Sequence, residues 1–461
     1  MQSKRQRVIY QMTLLPSLEA LVPSDHPLRR VDQVLDLSFV DEAVRDRYCP
    51  NNGRPGIDPE VLMRLFVLQA LEGIDSVREL MRQVRMNLAY LWFIGYEVGE
   101  PLPDHSTLSR ALDRFGDEVF NALFAQSIAQ CVDAGLIDGR VLHVDTTTIR
   151  ADLDKNRVGR PDSPDPDARF GRFPGGRKEP GYKQQTVVDG ASRVVVGVAV
   201  MPADRTDHEG AVAVVDEAIA RVGAAPQAVC ADAAYANGPN GAAMEARGIR
   251  LVSPPPKVGR PTRGQELFTI EEFIYDARRD VFVCPAGVTL TNKGSMSGRP
   301  ERRRYRARAS DCGGCALKAR CTKSPQRNVT ASVHHAALVR LRADSRTASF
   351  KQLYRTRAPA MEGVFAEEKE WHGLRRAWRR GLSNMLIQCH LIAAVLNFKR
   401  LAAPRKLYRG VEVMARTVQW VTARVIGLMG AHSRILGTFW HSLDTTTRFF
   451  LVRTAAATKA S

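Results

Sequence analysis

No apolar run in this sequence is long enough to cross a membrane, and its first residues lack an apolar stretch followed by a small-residue cleavage site. These absences predict a cytoplasmic protein with no membrane partner. Cysteine is also scarce, since eight residues in a chain of 461 are too few for a disulfide scaffold. The small, secreted, disulfide-rich class is therefore excluded.

Acidic residues are in deficit. Asp and Glu number 49 against 67 Lys and Arg, so the formal net charge is +18 and the isoelectric point is near 9.9. This surplus favours a polyanionic partner such as nucleic acid, although a basic balance also aids solubility by itself. The hydrophobic content of 44% predicts a large buried core, divided among two to four domains.

Residues 1–135 are predicted to form an all-helical N-terminal domain that binds DNA. Helix starts are indicated by Asp58 with Pro59, and by Asp75 or Ser76. The helices that they open are predicted to end at two glycines, Gly73 and Gly95.

A further helix is predicted in the segment DHSTLSRALDRFG, with an apolar and a polar face. The apolar face carries Leu108, Leu112 and Phe115. The polar face carries Ser106, Arg110 and Arg114. The polar face suits a recognition helix in the major groove of DNA, and a plain three-helix packing unit is the alternative.

Residues 136–252 change to strands and helices in the order β-β-β-α-β-α-β. The first strand lies in RVLHVDTTTIRA, and a loop rich in Pro and Gly is predicted at about 152–181. Asp189 with Gly190 predicts a hairpin between the next two strands. A later strand, QAVCADAAY, is predicted to end at Asp232.

The rest of the chain divides into three predicted segments. Residues 253–345 are basic and turn-rich, and they interrupt the pattern as an insertion would. Helical periodicity returns in residues 346–402. Residues 403–461 are predicted to form a helical tail, with an apolar seam that is too short for a coiled coil.

Two aspartates are candidate catalytic residues because of where they stand in strands. Asp145 lies in the middle of an apolar, β-branched strand, where an acid is costly unless it binds a cation. Asp232 ends a strand, where open α/β sheets present ligand-binding groups. A helix N-cap is the alternative interpretation of Asp232.

Glu362 is a candidate because of its patterned neighbourhood. It belongs to a series with the spacing Y-x2-R-x4-E-x6-K, formed by Tyr354, Arg357, Glu362 and Lys369. If Pro359 takes the first helical position, Glu362 and Lys369 project from nearly the same face of one helix. A solvated helix with an intrahelical charge pattern is the alternative.

The sequence resembles the DDE transposases of bacterial insertion sequences, in the branch with a Tyr-Arg-Glu-Lys signature. The resemblance covers most of the chain, through HVDTTTIRA, GYKQQTVVDG, CADAAYAN and YRTRAPAMEGVFAEEKEWHGLRR. The usual signature has three residues between its Arg and Glu, whereas Arg357 and Glu362 are separated by four. Arg355 is therefore a second candidate for the arginine that reaches DNA.

The resemblance implies an α/β fold with a ribonuclease-H-like core, a mixed five-stranded sheet flanked by helices. It also implies a bacterial, nucleoid-associated enzyme that cleaves transposon ends and transfers the 3′ hydroxyl to target DNA. Two Mg²⁺ ions would take their oxygen ligands from Asp145, Asp232 and Glu362. The implied partners are double-stranded DNA, as terminal inverted repeats and target, and a second copy in a homodimeric synaptic complex.

The same resemblance suggests contacts to the DNA backbone near the scissile phosphate. The candidates for these contacts are Lys369, Tyr354, Arg357 and Lys183, with Arg375 and Arg376 further along the chain. Exposed Lys and Arg on a basic protein are often only solvated, which is the alternative for each of them.

Four of the eight cysteines crowd into the predicted insertion. Cys284, Cys312, Cys315 and Cys321 have the spacing C-x27-C-x2-C-x5-C. One C-x2-C pair in a cytosolic chain makes these residues candidate ligands of a structural Zn²⁺, and reduced, buried thiols are the alternative. Between them, residues 302–308 form a basic strip suited to a phosphate backbone or to a disordered loop.

Three other functions compete with strand transfer. A ribonuclease-H-like nuclease without strand transfer would use the same acids and metals. A DNA-binding repressor or domesticated transposase should have lost one acid, and all three are present. A zinc-stabilised nucleic-acid-binding module would bind DNA without metal-dependent cleavage.

Overall fold

The computed structural model describes residues 17–49, 56–256 and 267–403. Contacts divide the chain into residues 1–402 and 403–461. The predicted C-terminal tail and its apolar seam therefore lie outside the described residues, except for residue 403.

Helices fill the described residues before the first strand. They are α1 (Leu18–Leu21), α2 (Pro27–Asp32), α3 (Val40–Val44), α4 (Pro59–Leu71), α5 (Val77–Val84), α6 (Leu88–Ile94) and α7 (His105–Asp133). Asp58 caps α4 with Pro59 at its first position, and Ser76 caps α5, so both predicted starts are confirmed. One helix was expected from residue 76 to 95, but Asn87 begins a second one, because its side chain accepts from the N–H groups of the new first turn.

Helix α7 begins at the predicted amphipathic segment and continues well beyond it. The helical geometry is interrupted at Gly116, whose φ of 65° lies in the left-handed region. The predicted apolar face is buried, and Phe115 packs with Phe66 and Phe120. The predicted polar face, including Arg110 and Arg114, is exposed.

A mixed sheet follows the helices. Its strands are β1 (Val141–Arg150), β2 (Arg169–Arg172), β3 (Lys178–Asp189), β4 (Val195–Pro202), β5 (Ala228–Cys230) and β6 (Arg250–Val252). Strand β3 lies antiparallel to β1, and it pairs with both β2 and β4 on its other edge. On the other side of β1, β5 and β6 run parallel to it.

The connections agree with the strand pattern read from the sequence. Strand β3 ends at Asp189 and turns back into β4, which confirms the predicted hairpin. Helix α8 (Ala211–Val222) joins β4 to β5, and α9 (Gly238–Ala246) joins β5 to β6. Strand β2 was not predicted, since it lies in the stretch interpreted as a loop.

A second sheet occupies part of the predicted insertion. Its antiparallel order is β11 (Asn328–Ser332), β10 (Arg299–Arg306), β9 (Thr289–Met296), β8 (Val281–Val283) and β7 (Ile274–Asp276). Three helices accompany it: α10 (Ala309–Gly313), α11 (Lys318–Cys321) and α12 (His335–Ser345). One face of the sheet covers a small separate core that includes Phe282, Leu290 and Tyr305.

Two long helices complete the described chain. Helix α13 (Ala348–Trp371) packs against β1, β5 and β6, and α14 (Leu382–Leu401) packs against α7 and β4. Helix α13 begins eleven positions before Pro359, because Thr347 caps it. The expectation that Pro359 opens this helix is therefore wrong. None of the helices within the described ranges combines the length and apolarity that a membrane crossing requires.

We expect Asn397→Leu to destabilise the fold by about 2–4 kcal/mol, because it would leave several buried polar groups unpaired. The buried Asn397 amide accepts from the N–H of Val195 and donates to its carbonyl and to the Ser127 hydroxyl. Denaturant unfolding would measure the loss. Ser383→Ala, on the exposed first turn of the same helix, should change stability little, and equal stability of the two variants would contradict the prediction.

Candidate active site

Asp145 lies in the middle of β1, with its side chain 22% exposed. Its carboxylate accepts from the backbone N–H of Thr146 at 2.9 Å and pairs with Nη1 of Arg357 at 2.6 Å. Burial raises the pKa of Asp145 and the charge of Asp232 adds to the rise, while Thr146 and Arg357 oppose it. The ionised carboxylate is therefore stabilised by the hydrogen bond from Thr146 and by the neighbouring charge of Arg357.

Asp232 is brought beside Asp145 by the parallel pairing of β1 with β5. The pairing of the two strands ends where His143 meets Cys230, and each aspartate lies two residues further on, so that the charge of Asp232 acts on Asp145. The side chain of Asp232 also accepts from the N–H of Ala234 at 2.9 Å, which is the capping role considered from the sequence. The structure thus brings the first two predicted acids together.

Arg357 is the cation of this site. Its guanidinium is 14% exposed, and although burial lowers its pKa, the charges of Asp145 and Asp232 outweigh that effect and raise it. His143 lies on the same face of the sheet, with Nε2 3.4 Å from the hydroxyl of Thr356. Burial, helped by the charge of Arg357, lowers the pKa of His143 to about 4, so this imidazole is neutral at pH 7.

The turn that follows Asp232 is anchored by side chains on the opposite face of the sheet. Tyr235, which is 1% exposed, shares a hydrogen bond of 2.7 Å with Thr146 and accepts one of 3.1 Å from Gln185. Because Thr146 follows Asp145 and Tyr235 lies three residues after Asp232, these bonds fix the two acids relative to each other.

Glu362 does not join the two aspartates. It lies five residues after Arg357 on α13, which places it about 140° away around the helix. The neighbouring Met361 and Val364 point into the core, and Glu362 is exposed. Within the described ranges, no hydrogen bond or ion pair links it to Asp145 or Asp232. Its catalytic role stays a prediction.

The additional residue in the signature explains this separation. A spacing of four residues from Arg357 would place a side chain about 40° away on the helix, and the fifth residue adds about 100°. Lys369, seven residues after Glu362, shares its side of α13 as predicted, and burial lowers the pKa of Lys369. The glutamate and the lysine therefore project from one side of α13, away from Arg357.

The other predicted DNA contacts are distributed over different surfaces. Lys183 pairs opposite Thr148 on the face of the sheet away from Asp145, and it forms an ion pair with Asp207 at 2.8 Å. Tyr354 is half-buried and stacks on Phe350.

The arginines after α13 and those on α7 are also engaged. Arg375 pairs with Glu370, and Arg376 pairs with Asp152. On α7, Arg114 lies over the ring of Tyr48 at 4.6 Å. None of these contacts tests a role in binding DNA.

The four clustered cysteines converge. Cys284, Cys312, Cys315 and Cys321 line one cavity of about 20 Å³ in the second-sheet region. The N–H of Val288 donates to Sγ of Cys284 at 3.3 Å. Burial and the three other cysteines raise the pKa of Cys321, which Arg327 partly offsets.

Neither the three predicted acids nor the four cysteines are arranged as the ligands of a bound metal ion would be. Across residues 17–49, 56–256 and 267–403, no group of three or more Cys, His, Asp or Glu side chains is arranged to hold a metal ion. For the three acids, the reason is that Glu362 lies away from Asp145 and Asp232. Asp145 and Asp232 by themselves fit as two carboxylate ligands.

Sequence reasoning missed the residues that position the acids. Gln184, Gln185 and Tyr235 lie in the segments GYKQQTVVDG and CADAAYAN, but the sequence did not indicate which groups their side chains would hydrogen-bond. In the structure Gln184 donates to Glu368 on α13, and burial raises the pKa of Glu368 to about 8. The available signal was the presence of two adjacent glutamines just before the apolar end of a predicted strand.

We expect Tyr235→Phe to cost about 1–2 kcal/mol, because it removes the hydroxyl that serves Thr146 and Gln185. The turn after β5 should loosen more than the rest of the sheet. Hydrogen exchange of the amides of residues 231–237 would measure this, with the β3–β4 hairpin as the internal reference. Unchanged exchange in the turn would show that the hydroxyl does not hold it.

Two stretches of the chain match known protein families. Residues 16–114 match a family described as a transposase domain (DUF772), and residues 283–402 match one described as a transposase DDE domain. Asp145 and Asp232 lie between the two matches. No curated protein matches the chain.

One similar solved structure is the piggyBac transposase in a synaptic complex with hairpin DNA, determined by cryo-EM. The identity is 11% and the TM-score 0.34, over 81% of this chain and 73% of that one. A likeness of this strength carries no argument about fold or function. The two family matches, by contrast, support a transposase of the DDE type.

Proposed function

We propose that this protein cleaves the ends of a DNA transposon and joins the freed 3′ hydroxyl to target DNA. The observation that carries the proposal is the adjacency of Asp145 and Asp232 on parallel strands, with Arg357 beside them. The two transposase matches support the reaction class. The basic charge of the chain agrees with double-stranded DNA as the substrate.

The mixed sheet supports a ribonuclease-H-like core. Three antiparallel strands, β4, β3 and β1, are followed across the sheet by β5 and β6, which run parallel to β1. In this arrangement the first two acids come from adjacent strands and the third from a later helix. Here α13 takes the place of that helix, because it packs on the face that carries Asp145.

Mg²⁺ suits the oxygen donors of this site, and Asp145 and Asp232 would hold it with Glu362 as third ligand. When bound, the metal supplies charge stabilisation for the attacking and leaving oxygens at phosphorus. Arg357 would then exchange its bond to Asp145 for one to a DNA phosphate, as an arginine can. The buried turn around Tyr235 keeps Asp232 in place during this exchange.

For Glu362 to become the third metal ligand, the part of α13 that follows Arg357 must rotate about the helix axis. Pro359 lies between these two residues, and it lacks the N–H that would bond to the carbonyl of Arg355. The helix is therefore weakest where a change in its turn would carry Glu362 towards the aspartates. Glu368 is excluded as a substitute, because it lies eleven residues beyond Arg357, about 16 Å along the helix axis.

We expect Asp145→Asn, Asp232→Asn and Glu362→Gln each to reduce Mg²⁺-dependent cleavage of end DNA by at least about 100-fold. A labelled end duplex and a target plasmid would measure cleavage and joining separately. Glu370→Gln is the matched control for Glu362→Gln, since Glu370 is also exposed and lies eight residues further along the same helix, where it pairs with Arg375. It should retain activity.

Each result has a defined meaning. Full joining by any of the three acid variants would overturn the proposed site. Cleavage without joining by the natural sequence would favour a nuclease instead. Joining requires two ends to be brought together, so we also propose a homodimer in the complex with DNA, which light scattering with end duplex would measure.

We further propose that the four cysteines hold a structural Zn²⁺. The support is that all four line one small cavity, and that an amide N–H donates to the sulfur of Cys284, a contact that stabilises a thiolate. The sulfurs surround the cavity without closing on it, so binding requires rotation of these side chains. The ion would tie the turn after β8 to α10 and α11.

We expect purified protein to contain one zinc ion per chain by elemental mass spectrometry, and Cys312→Ser with Cys315→Ser to abolish it. The same variant should lower the melting temperature. Cys49→Ser, at an exposed cysteine elsewhere, is the control and should retain the ion. A natural chain free of zinc after purification without chelator would contradict the proposal.

A further inference from the structure

The second sheet has one covered and one open face. Tyr305 and Ala307 alternate with Arg302, Arg304 and Arg306 along and just beyond β10, and the first two are buried in the core of this region. The three arginines therefore project from the opposite face, where Arg302 and Arg304 are exposed and Arg306 is half-buried. An antiparallel sheet with one face on its core and one in solvent is stable as it stands.

The strands beside β10 extend this open face with small polar residues. By register Arg304 lies opposite Thr330 on β11, and Arg306 lies opposite Thr291 on β9. Lys293, also exposed, follows on the same side of β9, before an irregularity at Gly294. The surface around β10 is thus hydroxyl-bearing and basic.

The cations of this face lack acidic partners, which distinguishes them from their neighbours. Arg303, on the covered face, pairs with Asp280 at 2.9 Å, and Arg250 pairs with Asp344 at 2.6 Å. Among the residues that the structure describes, no ion pair engages Arg302, Arg304, Arg306 or Lys293, and Arg306 donates only to the amide of Asn328.

One acid does share this face. Asp276 lies on it by register, but it stands on β7, three strands or about 14 Å from β10. Its carboxylate already accepts from the N–H groups of Arg278 and Arg279. Among the described residues the positive charge around β10 is therefore left without a paired acid, and it favours a polyanion.

We propose that this open face, defined by Arg302, Arg304, Arg306 and Lys293, binds the phosphate backbone of double-stranded DNA without reading its sequence. The choice of DNA rests on the proposed function. Alternate residues of a strand lie about 6.6 Å apart, so neighbouring arginines can address successive phosphates of one DNA strand. Guanidinium and hydroxyl groups contact phosphates well, and such contacts position DNA without specifying bases.

The test measures the affinity of the full chain for two duplexes of unrelated sequence, by fluorescence anisotropy over a range of salt, without divalent ions. Arg302→Gln, Arg304→Gln and Arg306→Gln are combined in one variant. Three lost phosphate contacts should reduce the slope of log K against log salt by about 2–3 and weaken binding on the order of 10–100-fold at 0.1 M salt. Both duplexes should be affected equally.

The matched control removes three cations that are already paired. Arg140, Arg247 and Arg340 are exposed, lie outside residues 1–135, and each pairs with an acid. Their combined change to Gln should alter the slope by less than about one. If the triple arginine variant has a lower melting temperature than the natural chain, the single variant Arg304→Gln is measured instead. Its slope of log K against log salt should change by about 0.9.

Three outcomes would overturn the proposal. They are an unchanged slope in the arginine variant, an equal change in the control, and a loss confined to one of the two duplexes. Because binding is measured without divalent ions, an inactive enzyme would not affect it. A natural chain that binds duplex DNA through this face but never cleaves it would count against the proposed function alone.

Discussion

The site depends on one electrostatic constraint, the placement of two carboxylates side by side on adjacent parallel strands. Burial raises the pKa of Asp145, and the charge of Asp232 adds to the rise. Arg357 opposes that rise through its bond to Asp145, and its charge also interacts with that of Asp232. Two acids held close together are suited to binding a cation. Because α13 packs on the sheet, it places the guanidinium of Arg357 there as that cation.

The rest of the core maintains this arrangement from both faces of the sheet. On one face the hydroxyl of Tyr235 bridges Thr146 and Gln185, so the turn with Asp232 cannot move independently of β1. On the other face the buried carboxyl of Glu368 accepts from Gln184, which fastens the far end of α13 to β3. Polar groups buried in this way are costly to leave unpaired, so they define one geometry.

Much of this could be predicted from local sequence. Two helix starts, at Asp58 with Pro59 and at Ser76, and the hairpin at Asp189 are each indicated by a few neighbouring residues. The structure confirms all three. The second sheet was missed because β7 and β8 have only three residues each, while β10 is so rich in arginine that it resembles a solvated loop. Its alternation of arginine with Tyr305 and Ala307 was the available signal.

The position of Glu362 shows where sequence reasoning stops. With Pro359 expected at the first helical position, Arg357 lay before the helix, whereas the structure places Arg357 and Glu362 on one continuous helix, where their relative direction depends on the number of residues between them. Thr347 starts that helix early, and Glu368 and Arg357 share one side of α13, about 20° apart. Since both of these residues are held by the sheet, the rotation of α13 is fixed by its two ends. Any change that moves Glu362 towards the aspartates would therefore occur between Arg357 and Glu368, where Pro359 already lacks a hydrogen bond.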